Sequence, residues 1–411
     1  MSQIQYPFSR TYLDSGGSAI RELARFAEDP EVISFAAGYP AIDSFDYAGL
    51  QEASEAAWRE DPRNCMQYQS SEGSEPLAQE LLKISRQRGI EAAREELLIT
   101  TGSQQAFDFL IRSYIEPGDT VLVEEPTYPG AVAALRLAGA DIVGVKGDAQ
   151  GIQPQDARRV VDELAARGVR PKFLYVVADF ANPTGATLSR ERRVALAELA
   201  VEKNFLLVED DPYGLLRFRG ERVAPIRSLA DEIQGGRDWL VYMSTLSKSL
   251  TPGVRIGWII APAAVTRRCV KAKQVSDLCS SPWAQAIATA YLRSGRFDSH
   301  LPKTVEVYRQ RGQHLAARLR AVFGNELAFS EPDGGMFIWA SFNMDVDMHK
   351  LLRNAKANKV LFVPGSACFH DGRQTPTLRI SYSEATEEKV VEGVARLHRA
   401  YRATVGEARP D

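Results

Sequence analysis

A lysine near the middle of the chain stands in a setting that could make it a nucleophile. Lys248 follows a β-rich run at residues 239–244 and is flanked by hydroxyl side chains in the segment STLSKSLTPGVRIGW. If the fold buries this lysine, the loss of solvation disfavours its ammonium form, and the free amine can attack an aldehyde. The hydroxyls of Thr245 and Ser247 and the guanidinium of Arg255 could together bind one phosphate. A basic loop with helix-capping hydroxyls is the alternative.

A second segment, TTGSQQ, also follows a β-rich run. Gly102 permits a tight turn, after which Ser103 and Gln104 begin a predicted helix. Free N–H groups at a helix N-terminus attract anions, so this loop could hold a phosphate, although an ordinary serine cap is the alternative. The segment matches neither the G-x-G-x-x-G fingerprint nor a Walker loop, so the sequence does not favour dinucleotide or NTP binding.

Two more β-rich runs end in polar residues. In the segment EDDPY, the Asp210 carboxylate could hold the proton of a pyridinium ring by a charge-assisted hydrogen bond, with Tyr213 near a phenolic oxygen. A metal site made of the three acids, or a solvated acidic loop, is the alternative. In the segment NPTG, the proline holds Asn182 extended, so that its amide can point into a cleft. Taken alone, NPTG is also a common turn.

The elements that would position these residues alternate along the chain. Seven short runs are mostly apolar throughout, as in strands that are buried on both faces, and helices lie between the earlier runs. This alternation predicts an α/β fold with a mostly parallel seven-stranded sheet flanked by helices, whose ligands collect at the carboxyl ends of the strands. The strands are predicted at residues 97–100, 120–124, 141–146, 172–178, 205–209, 239–244 and 256–261, and the helices at 104–115, 129–138, 154–167 and 190–203.

The pattern changes after about residue 297. A long amphipathic stretch predicts a helix that could join two domains, and the short elements after it predict a small α+β domain. These elements are the long helix at residues 305–323, strands at 336–341, 360–363 and 378–381, and helices at 348–358 and 384–402.

The composition disfavours several other classes of protein. The chain has 411 residues, a net charge of −3 and 45% hydrophobic residues, which is typical of a globular protein without the basic excess of a nucleic-acid binder. The four cysteines and five histidines show no metal-ligand spacing, so no metal is expected. No signal-peptide core and no run of 18 apolar residues is visible, which predicts a cytoplasmic protein.

Together, the motifs resemble those of the fold-type I pyridoxal-phosphate (PLP) enzymes of the class I/II aminotransferase family. NPTG, EDDPY and SKSLTPGVRIGW occur in this order, and the resemblance extends from about residue 18 to residue 396. The sequence SAIRE at residues 18–22 is similar to a motif of the 2-aminoadipate and kynurenine aminotransferases. The resemblance implies an aspartate aminotransferase-like fold. It also implies a transaminase that moves an amino group from an L-amino acid to a 2-oxo acid such as 2-oxoglutarate. The donor could be acidic, aromatic or any of a broad range of amino acids.

The resemblance also assigns roles around the cofactor. Lys248 matches the lysine that forms the aldimine with pyridoxal 5′-phosphate and later carries the proton, and Asp210 matches the acid that pairs with the pyridine nitrogen. Asn182 and Tyr213 match the pair that hydrogen-bonds the phenolic oxygen of the ring. Tyr128 matches the aromatic residue that stacks on the ring. The residues that match the phosphate site are Ser103, Gln104, Thr245, Ser247 and Arg255.

Other matches imply a partner subunit and a substrate site. Tyr68 matches a tyrosine that reaches the phosphate of the neighbouring subunit, so a homodimer with shared active sites is expected. Arg379 matches the arginine that binds the substrate α-carboxylate, beside Asn182, and Gly38 matches a glycine turn near that carboxylate. Arg21 lies where relatives contact an acidic side chain, although an ordinary surface arginine is the alternative. The helix predicted at residues 18–27 would then set specificity and move.

Some positions depart from the family pattern. Ala78 stands where the family has arginine, and Pro376 stands where it often has asparagine. Neither change touches Lys248 or Asp210, so they affect the transfer of a substrate specificity rather than cofactor use. A PLP-dependent lyase or decarboxylase is the alternative reaction, because the sequence does not show which bond is perpendicular to the ring. A ligand-sensing regulator with an added DNA-binding domain is disfavoured.

The motif positions predict how the chain is divided. The cofactor motifs lie between about residues 60 and 295, while Arg21 and Arg379 lie outside this range at opposite ends. A large PLP-binding domain is therefore predicted at residues 59–297. The small domain would combine an N-terminal arm at residues 1–58 with a C-terminal part at residues 298–411.

Overall fold

The structure is a computed structural model, and it describes residues 6, 8–13, 23 and 25–406. No helix within them is both long enough and apolar enough to span a membrane. The strands are β1 (Ile33–Ser34), β2 (Leu97–Thr100), β3 (Thr120–Glu125), β4 (Asp141–Asp148), β5 (Gly151–Ile152), β6 (Phe173–Val176), β7 (Leu206–Asp211), β8 (Leu240–Thr245), β9 (Gly257–Ile260), β10 (Leu327–Phe329), β11 (Phe337–Phe342), β12 (Val360–Leu361), β13 (Val363–Pro364) and β14 (Thr377–Ser381). The helices are Arg10–Leu13, Tyr47–Glu60, Pro62–Met66, Glu75–Gln87, Ser103–Tyr114, Pro129–Leu137, Pro154–Ala166, Arg190–Lys203, Ala263–Gln274, Pro282–Arg293, Arg296–Phe323, Met348–Ala357 and Glu387–Gly406.

An eight-stranded sheet, called the large sheet below, forms the centre of the fold. Its order is β2-β9-β8-β7-β6-β3-β4-β5. The run β8-β7-β6-β3-β4 is parallel throughout, whereas β9 is antiparallel to both β2 and β8, and β5 is antiparallel to β4. The predicted α/β fold with a mostly parallel sheet is confirmed, and all seven predicted strands are present. The additional strand β5 has only two residues, too few to show a sequence pattern.

The burial of these strands explains their apolar sequences. Every residue of β3, β6, β7 and β8 is buried, so helices cover both faces of the sheet. The helix Arg190–Lys203, for example, begins after Ser189, whose hydroxyl accepts a hydrogen bond from the Arg192 N–H, and ends at Asn204 in the left-handed conformation. The carboxyl ends of the parallel strands therefore emerge at one edge, where polar residues follow them.

A smaller sheet lies farther along the chain and is called the C-terminal sheet below. It is antiparallel, with the order β10-β11-β14-β13. The helix Arg296–Phe323 leads into it and begins earlier than predicted. Its first turns are polar and contain Pro302, which hid them from the sequence pattern. Contacts such as His300 Nε2 at 2.7 Å from the Ser44 carbonyl oxygen hold these turns, so tertiary structure overrides the local preference.

The N-terminal segment pairs with the C-terminal part of the chain. Strand β1 runs parallel to β12, with Ile33 opposite Val360, and the Phe35 N–H donates to the Leu361 carbonyl oxygen at 2.9 Å. Residues from the two ends of the sequence are therefore joined by backbone hydrogen bonds beside the C-terminal sheet.

The next helix contacts a different part of the fold. Tyr47–Glu60 packs against the helix Pro282–Arg293, and the ring centroids of Trp58 and Trp283 lie 5.8 Å apart. The predicted domain limit at residue 58 thus falls inside a helix that packs on the helices around the large sheet.

Candidate active site

Three consecutive acids end strand β7, and they do not converge. Side chains alternate between the faces of a strand, so Glu209 and Asp211 share one face and Asp210 points to the other. Asp211 Oδ2 accepts hydrogen bonds from Arg88 Nη2 at 2.8 Å and from the Tyr242 hydroxyl at 2.9 Å. A metal site made of the three acids is therefore ruled out, because two of the carboxylates face a buried ion-pair network.

Asp210 has one buried carboxylate oxygen without a partner. Its Oδ2 accepts a hydrogen bond from the Tyr175 hydroxyl at 2.8 Å, while no group among the described residues donates to the buried Oδ1. Burial is the main cause that raises the pKa of Asp210 to about 7, and the charge of Asp211 adds to it. A buried carboxylate oxygen is costly to leave unpaired, so Oδ1 fits a cationic N–H donor such as a pyridinium ring.

Lys248 lies in the turn after β8, beside the N-terminal segment. Its Nζ donates a hydrogen bond to the Gly38 carbonyl oxygen at 3.0 Å. Burial lowers the pKa of Lys248 to about 8, and the positive charges of Arg255 and Arg379 lower it further. An appreciable fraction of the side chain is therefore the free amine near neutral pH, as a nucleophile for a carbonyl group requires.

The loops that follow β2 and β8 meet around Arg255. Arg255 Nη2 donates to the Thr101 carbonyl oxygen at 3.1 Å, and its Nη1 lies 3.4 Å from Ser247 Oγ. The hydroxyls of Thr245 and Ser247 are 2.9 Å apart. Ser103 begins the helix Ser103–Tyr114 at the same place, so N–H, hydroxyl and guanidinium donors converge as an anion site requires.

A close backbone contact holds these two loops together, and it gives a first prediction. A Cβ atom at Gly257 would lie 2.5 Å from the Gly102 carbonyl carbon and 2.7 Å from the Ser103 nitrogen. We expect Gly257→Ala to push the loops apart, to lower the free energy of unfolding by about 1–3 kcal/mol and to weaken phosphate binding. Thermal unfolding and pyridoxal phosphate titration measure both effects. At Gly253, where the nearest atom would be 3.7 Å away, alanine should change neither, and equal effects from both variants would contradict the prediction.

Two further predicted residues follow the anion site. The Tyr128 hydroxyl lies 3.4 Å from Gln104 Oε1. A Cβ atom at Gly130 would lie 2.4 Å from Tyr128 Cζ, so the glycine leaves room for the aromatic ring at the start of the helix Pro129–Leu137. The ring is therefore placed beside the loop that carries Ser103 and Gln104.

Arg379 and Asn182 meet on strand β14 and the loop after β6. Arg379 Nη1 donates to Asn182 Oδ1 at 2.7 Å, and Nη2 donates to the Ala36 carbonyl oxygen at 2.5 Å. The guanidinium lies over the Phe337 ring at 4.3 Å, and its buried Nε has no partner among the described residues. Tyr213 lies beside the Arg379 guanidinium, and burial raises the pKa of the Tyr213 hydroxyl. Arg379 is thus held in place while its Nε can still donate a hydrogen bond.

One predicted residue lies away from this site within the chain, and another lies outside the described residues. Tyr68 lies on the segment before the helix Glu75–Gln87, and its side chain is 75% exposed. Arg21, the motif at residues 18–22 and most of the helix predicted at residues 18–27 lie outside the described residues. The remaining predicted residues surround Lys248 and Asp210.

The sequence reasoning missed two groups behind Asp210. Tyr175 on β6 is 1% exposed and donates to Asp210, as given above. Glu124 on β3 is 3% exposed, and its Oε1 accepts from the Val177 N–H at 2.8 Å. Burial, followed by the charge of Asp210, raises the pKa of Glu124 to about 8. A charged side chain in a buried strand is the signal that could have found Glu124, whereas Tyr175 resembles an ordinary core aromatic residue in the sequence.

One group of possible metal ligands lies near the same edge, and an arginine already contacts it. Among the described residues, Glu125, His370 and Asp371 form the only such cluster, with ligand atoms within 4.8 Å of one another. Arg373 donates to Glu125 Oε2 at 2.5 Å and to Asp371 Oδ2 at 3.0 Å. The cluster therefore has the charge balance of an ion-pair network.

Several known proteins are similar to this chain in sequence and in fold. The family model described as aminotransferase class I and II matches residues 30–397. An aromatic-amino-acid aminotransferase 1 of Thermococcus litoralis is 36% identical over 391 residues, which cover 95% of this chain and 93% of the relative. The crystal structure of Pyrococcus horikoshii kynurenine aminotransferase, in complex with PMP and kynurenine substrates, is similar with a TM-score of 0.92 at 32% identity and covers 98% of both chains. The α-aminoadipate aminotransferase LysN of Thermus thermophilus, complexed with N-(5′-phosphopyridoxyl)-L-leucine, has a TM-score of 0.88 at 32% identity and covers 97% of this chain and 98% of its own.

Proposed function

Because the chain belongs to the aminotransferase class I and II family and is a PLP-dependent transaminase of amino acids, we propose that Lys248 and Asp210 hold the two reactive ends of its cofactor. When bound, the cofactor supplies a carbonyl group that accepts the amino group and a ring that withdraws electrons from the α-carbon of the donor. The observation that carries the proposal is the buried, unpartnered Oδ1 of Asp210 on the strand next to the one that leads to Lys248.

Each proposed role follows from the chemistry of the side chain. Lys248 would hold the cofactor carbonyl through its free amine and would carry the proton of the substrate α-carbon. Asp210 would accept a hydrogen bond from the protonated pyridine nitrogen and keep it charged. Asn182 and Tyr213 would bind the phenolic oxygen, and Tyr128 would stack on the ring. The phosphate would be bound by Ser103, Gln104, Thr245, Ser247 and Arg255.

The substrate side of the proposal rests on Arg379. Its guanidinium is already oriented by Asn182 and Ala36 and still has an unpartnered Nε, which supports a grip on an α-carboxylate beside Gly38. The names of the relatives favour an aromatic or acidic L-amino acid as the donor. For the acceptor we propose a 2-oxo acid such as 2-oxoglutarate. Arg21 would then bind the distal group of an acidic donor.

A half-reaction screen tests this proposal. Purified enzyme with its cofactor is mixed with single L-amino acids, without an oxo acid, while the visible absorption of the cofactor is recorded. A transaminase loses the band in proportion to the donor and regains it when 2-oxoglutarate is added. A band that recovers without any oxo acid would identify a lyase, a reaction that no observation supports. No loss of the band with aromatic or acidic donors would contradict the proposed substrates.

The pH dependence of cofactor capture is a second prediction. Only the amine form of Lys248 reacts with a carbonyl, so the rate of capture by the apoenzyme should rise with pH and level off above about 8. In Arg255→Gln one nearby positive charge is removed, the pKa of Lys248 rises, and the midpoint should move to higher pH. Stopped-flow absorption measures both midpoints. A variant midpoint equal to that of the wild type would refute the assigned electrostatic cause.

We also propose a cytoplasmic homodimer in which Tyr68 of each chain completes the site of the other. The 75% exposure of this tyrosine supports a shared interface. The backbone link between the two ends of the chain supports a small domain made of both ends, although the helices Tyr47–Glu60 and Arg296–Phe323 cross the proposed limits at residues 58 and 298. Mixing two inactive or weakened variants tests whether the site is shared. Heterodimers of Lys248→Ala and Tyr68→Phe subunits contain one site with both native residues, so activity should recover above that of either variant. No recovery, although mass spectrometry detects heterodimers, would place Tyr68 outside the neighbouring site.

A further inference from the structure

A buried tyrosine contacts the acid that we assign to the pyridine ring. Tyr175 lies on β6, directly beside β7, and its hydroxyl donates to Asp210 Oδ2 at 2.8 Å. The ring packs against Phe107, with centroids 4.9 Å apart, and the residue is 1% exposed. The phenol is therefore fixed by packing, and water does not compete for its hydrogen bond.

The contact decides which oxygen of the carboxylate remains available. Because the hydroxyl donates to Oδ2, Oδ1 is the Asp210 oxygen that is left without a hydrogen bond among the described residues. A hydrogen bond to one oxygen also stabilises the negative form of the acid and so opposes the effect of burial. Glu124 accepts a hydrogen bond from the Val177 N–H, and burial raises its pKa to about 8, so its negative form is disfavoured. Tyr175 is thus the side-chain donor that holds the Asp210 charge.

We propose that Tyr175 is a positioning residue of the reaction, which keeps Oδ1 of Asp210 aimed at the pyridine nitrogen and keeps their shared proton on that nitrogen. This inference rests on the proposed contact between Asp210 and the cofactor. Without the phenol, Asp210 is a stronger base, and the proton moves from the ring nitrogen to Oδ1. The ring then loses its positive charge and no other bond changes.

The neighbouring strand offers a matched control. Tyr242 on β8 is also buried, at 2% exposure, and its hydroxyl donates to Asp211 Oδ2 at 2.9 Å. The two tyrosines therefore make the same kind of hydrogen bond to consecutive acids. Asp211 faces the ion pair with Arg88 on the opposite side of the sheet, so the loss of the Tyr242 hydroxyl affects stability without changing the charge of the proposed cofactor partner.

The experiment compares Tyr175→Phe with Tyr242→Phe in full-length protein. Phenylalanine keeps each ring and its packing, so both variants should fold, with similar decreases in melting temperature. Each protein is reconstituted with pyridoxal phosphate labelled with ¹⁵N in the ring, and the ¹⁵N chemical shift is recorded by NMR. We expect a protonated nitrogen in the wild type and in Tyr242→Phe, and a shift toward the neutral pyridine value in Tyr175→Phe. The dissociation constant of pyridoxal phosphate at pH 7 should rise about tenfold in Tyr175→Phe only.

A third variant separates this inference from the proposed function. If Asp210→Asn changes the ¹⁵N shift and Tyr175→Phe does not, Tyr175 is structural and the inference is wrong. If neither variant changes the shift, another group holds the ring nitrogen, and the proposed role of Asp210 fails as well. A change in Tyr242→Phe equal to that in Tyr175→Phe would also overturn the inference, because it would show a general loss of packing.

Discussion

Replacement of Lys248 by alanine is expected to lower the rate of transamination by at least about 10³-fold and to end covalent retention of the cofactor. Lys248 is proposed both to bind the cofactor carbonyl and to carry the proton between atoms of the substrate and the cofactor. Its pKa of about 8 suits both tasks, since the side chain can lose and regain a proton near neutral pH. Phosphate and ring contacts remain in the variant, so the protein should still bind pyridoxal phosphate reversibly.

The site of attachment is checked by borohydride reduction followed by peptide mass spectrometry. The label should appear on the peptide with Lys248 and be absent from the peptide with Lys273. Lys273 is an internal control, because it is also buried and its pKa is also lowered by burial, but its Nζ is paired with Asp277 at 3.1 Å. Label on Lys273, or turnover by Lys248→Ala at the rate of the wild type, would refute the assignment.

The adjacent acids of β7 should respond to the same substitution in opposite ways. Asp210→Asn is expected to reduce the rate about 10³-fold, because a neutral amide does not keep the pyridine nitrogen charged. Its stability should be unchanged or higher, since a neutral amide replaces a buried carboxylate charge that burial already disfavours. The reduced rate with an intact melting temperature is the signature to look for in parallel activity and calorimetry measurements.

Asp211→Asn serves as the comparison. Arg88 Nη2 lies 2.8 Å from Asp211 and 3.2 Å from Asp179, and all three side chains are buried. Loss of one partner charge should therefore cost about 3 kcal/mol of unfolding free energy, while the folded fraction keeps a rate within a few-fold of the wild type. Equal loss of activity in Asp210→Asn and Asp211→Asn would contradict the different roles given to the two faces of β7.

The sequence allowed the central sheet to be predicted because its strands are short apolar runs followed by polar residues. The same rule located Lys248, Asp210 and Asn182, since each follows such a run. The family resemblance, and not this rule, assigned the role to Asp210 among the three acids, and only the structure shows that Glu209 and Asp211 face an ion-pair network. Local patterns, together with the family resemblance, therefore predicted most residues of the proposed site.

The other features of the fold and the site could not be predicted from local sequence patterns, for physical reasons. Tyr175 resembles an ordinary core aromatic residue until a carboxylate is found 2.8 Å from its hydroxyl on the neighbouring strand. The start of the helix Arg296–Phe323 depends on contacts with residues near position 44, far away in sequence. The pairing of β1 with β12 is equally remote in sequence. Contacts between distant segments decide these features, and neither composition nor periodicity encodes them.

The attachment of Arg379 has a consequence for how this enzyme can be recombined with its relatives. One of its donors is held by the Ala36 carbonyl oxygen and another by Asn182, and β1 is hydrogen-bonded to β12. A chimera that exchanges only the C-terminal third would inherit the guanidinium without the N-terminal segment of this chain, which places the Ala36 carbonyl oxygen beside it. The proposed grip on the α-carboxylate therefore depends on two separated stretches of sequence, and we expect productive crossovers to transfer both chain ends together.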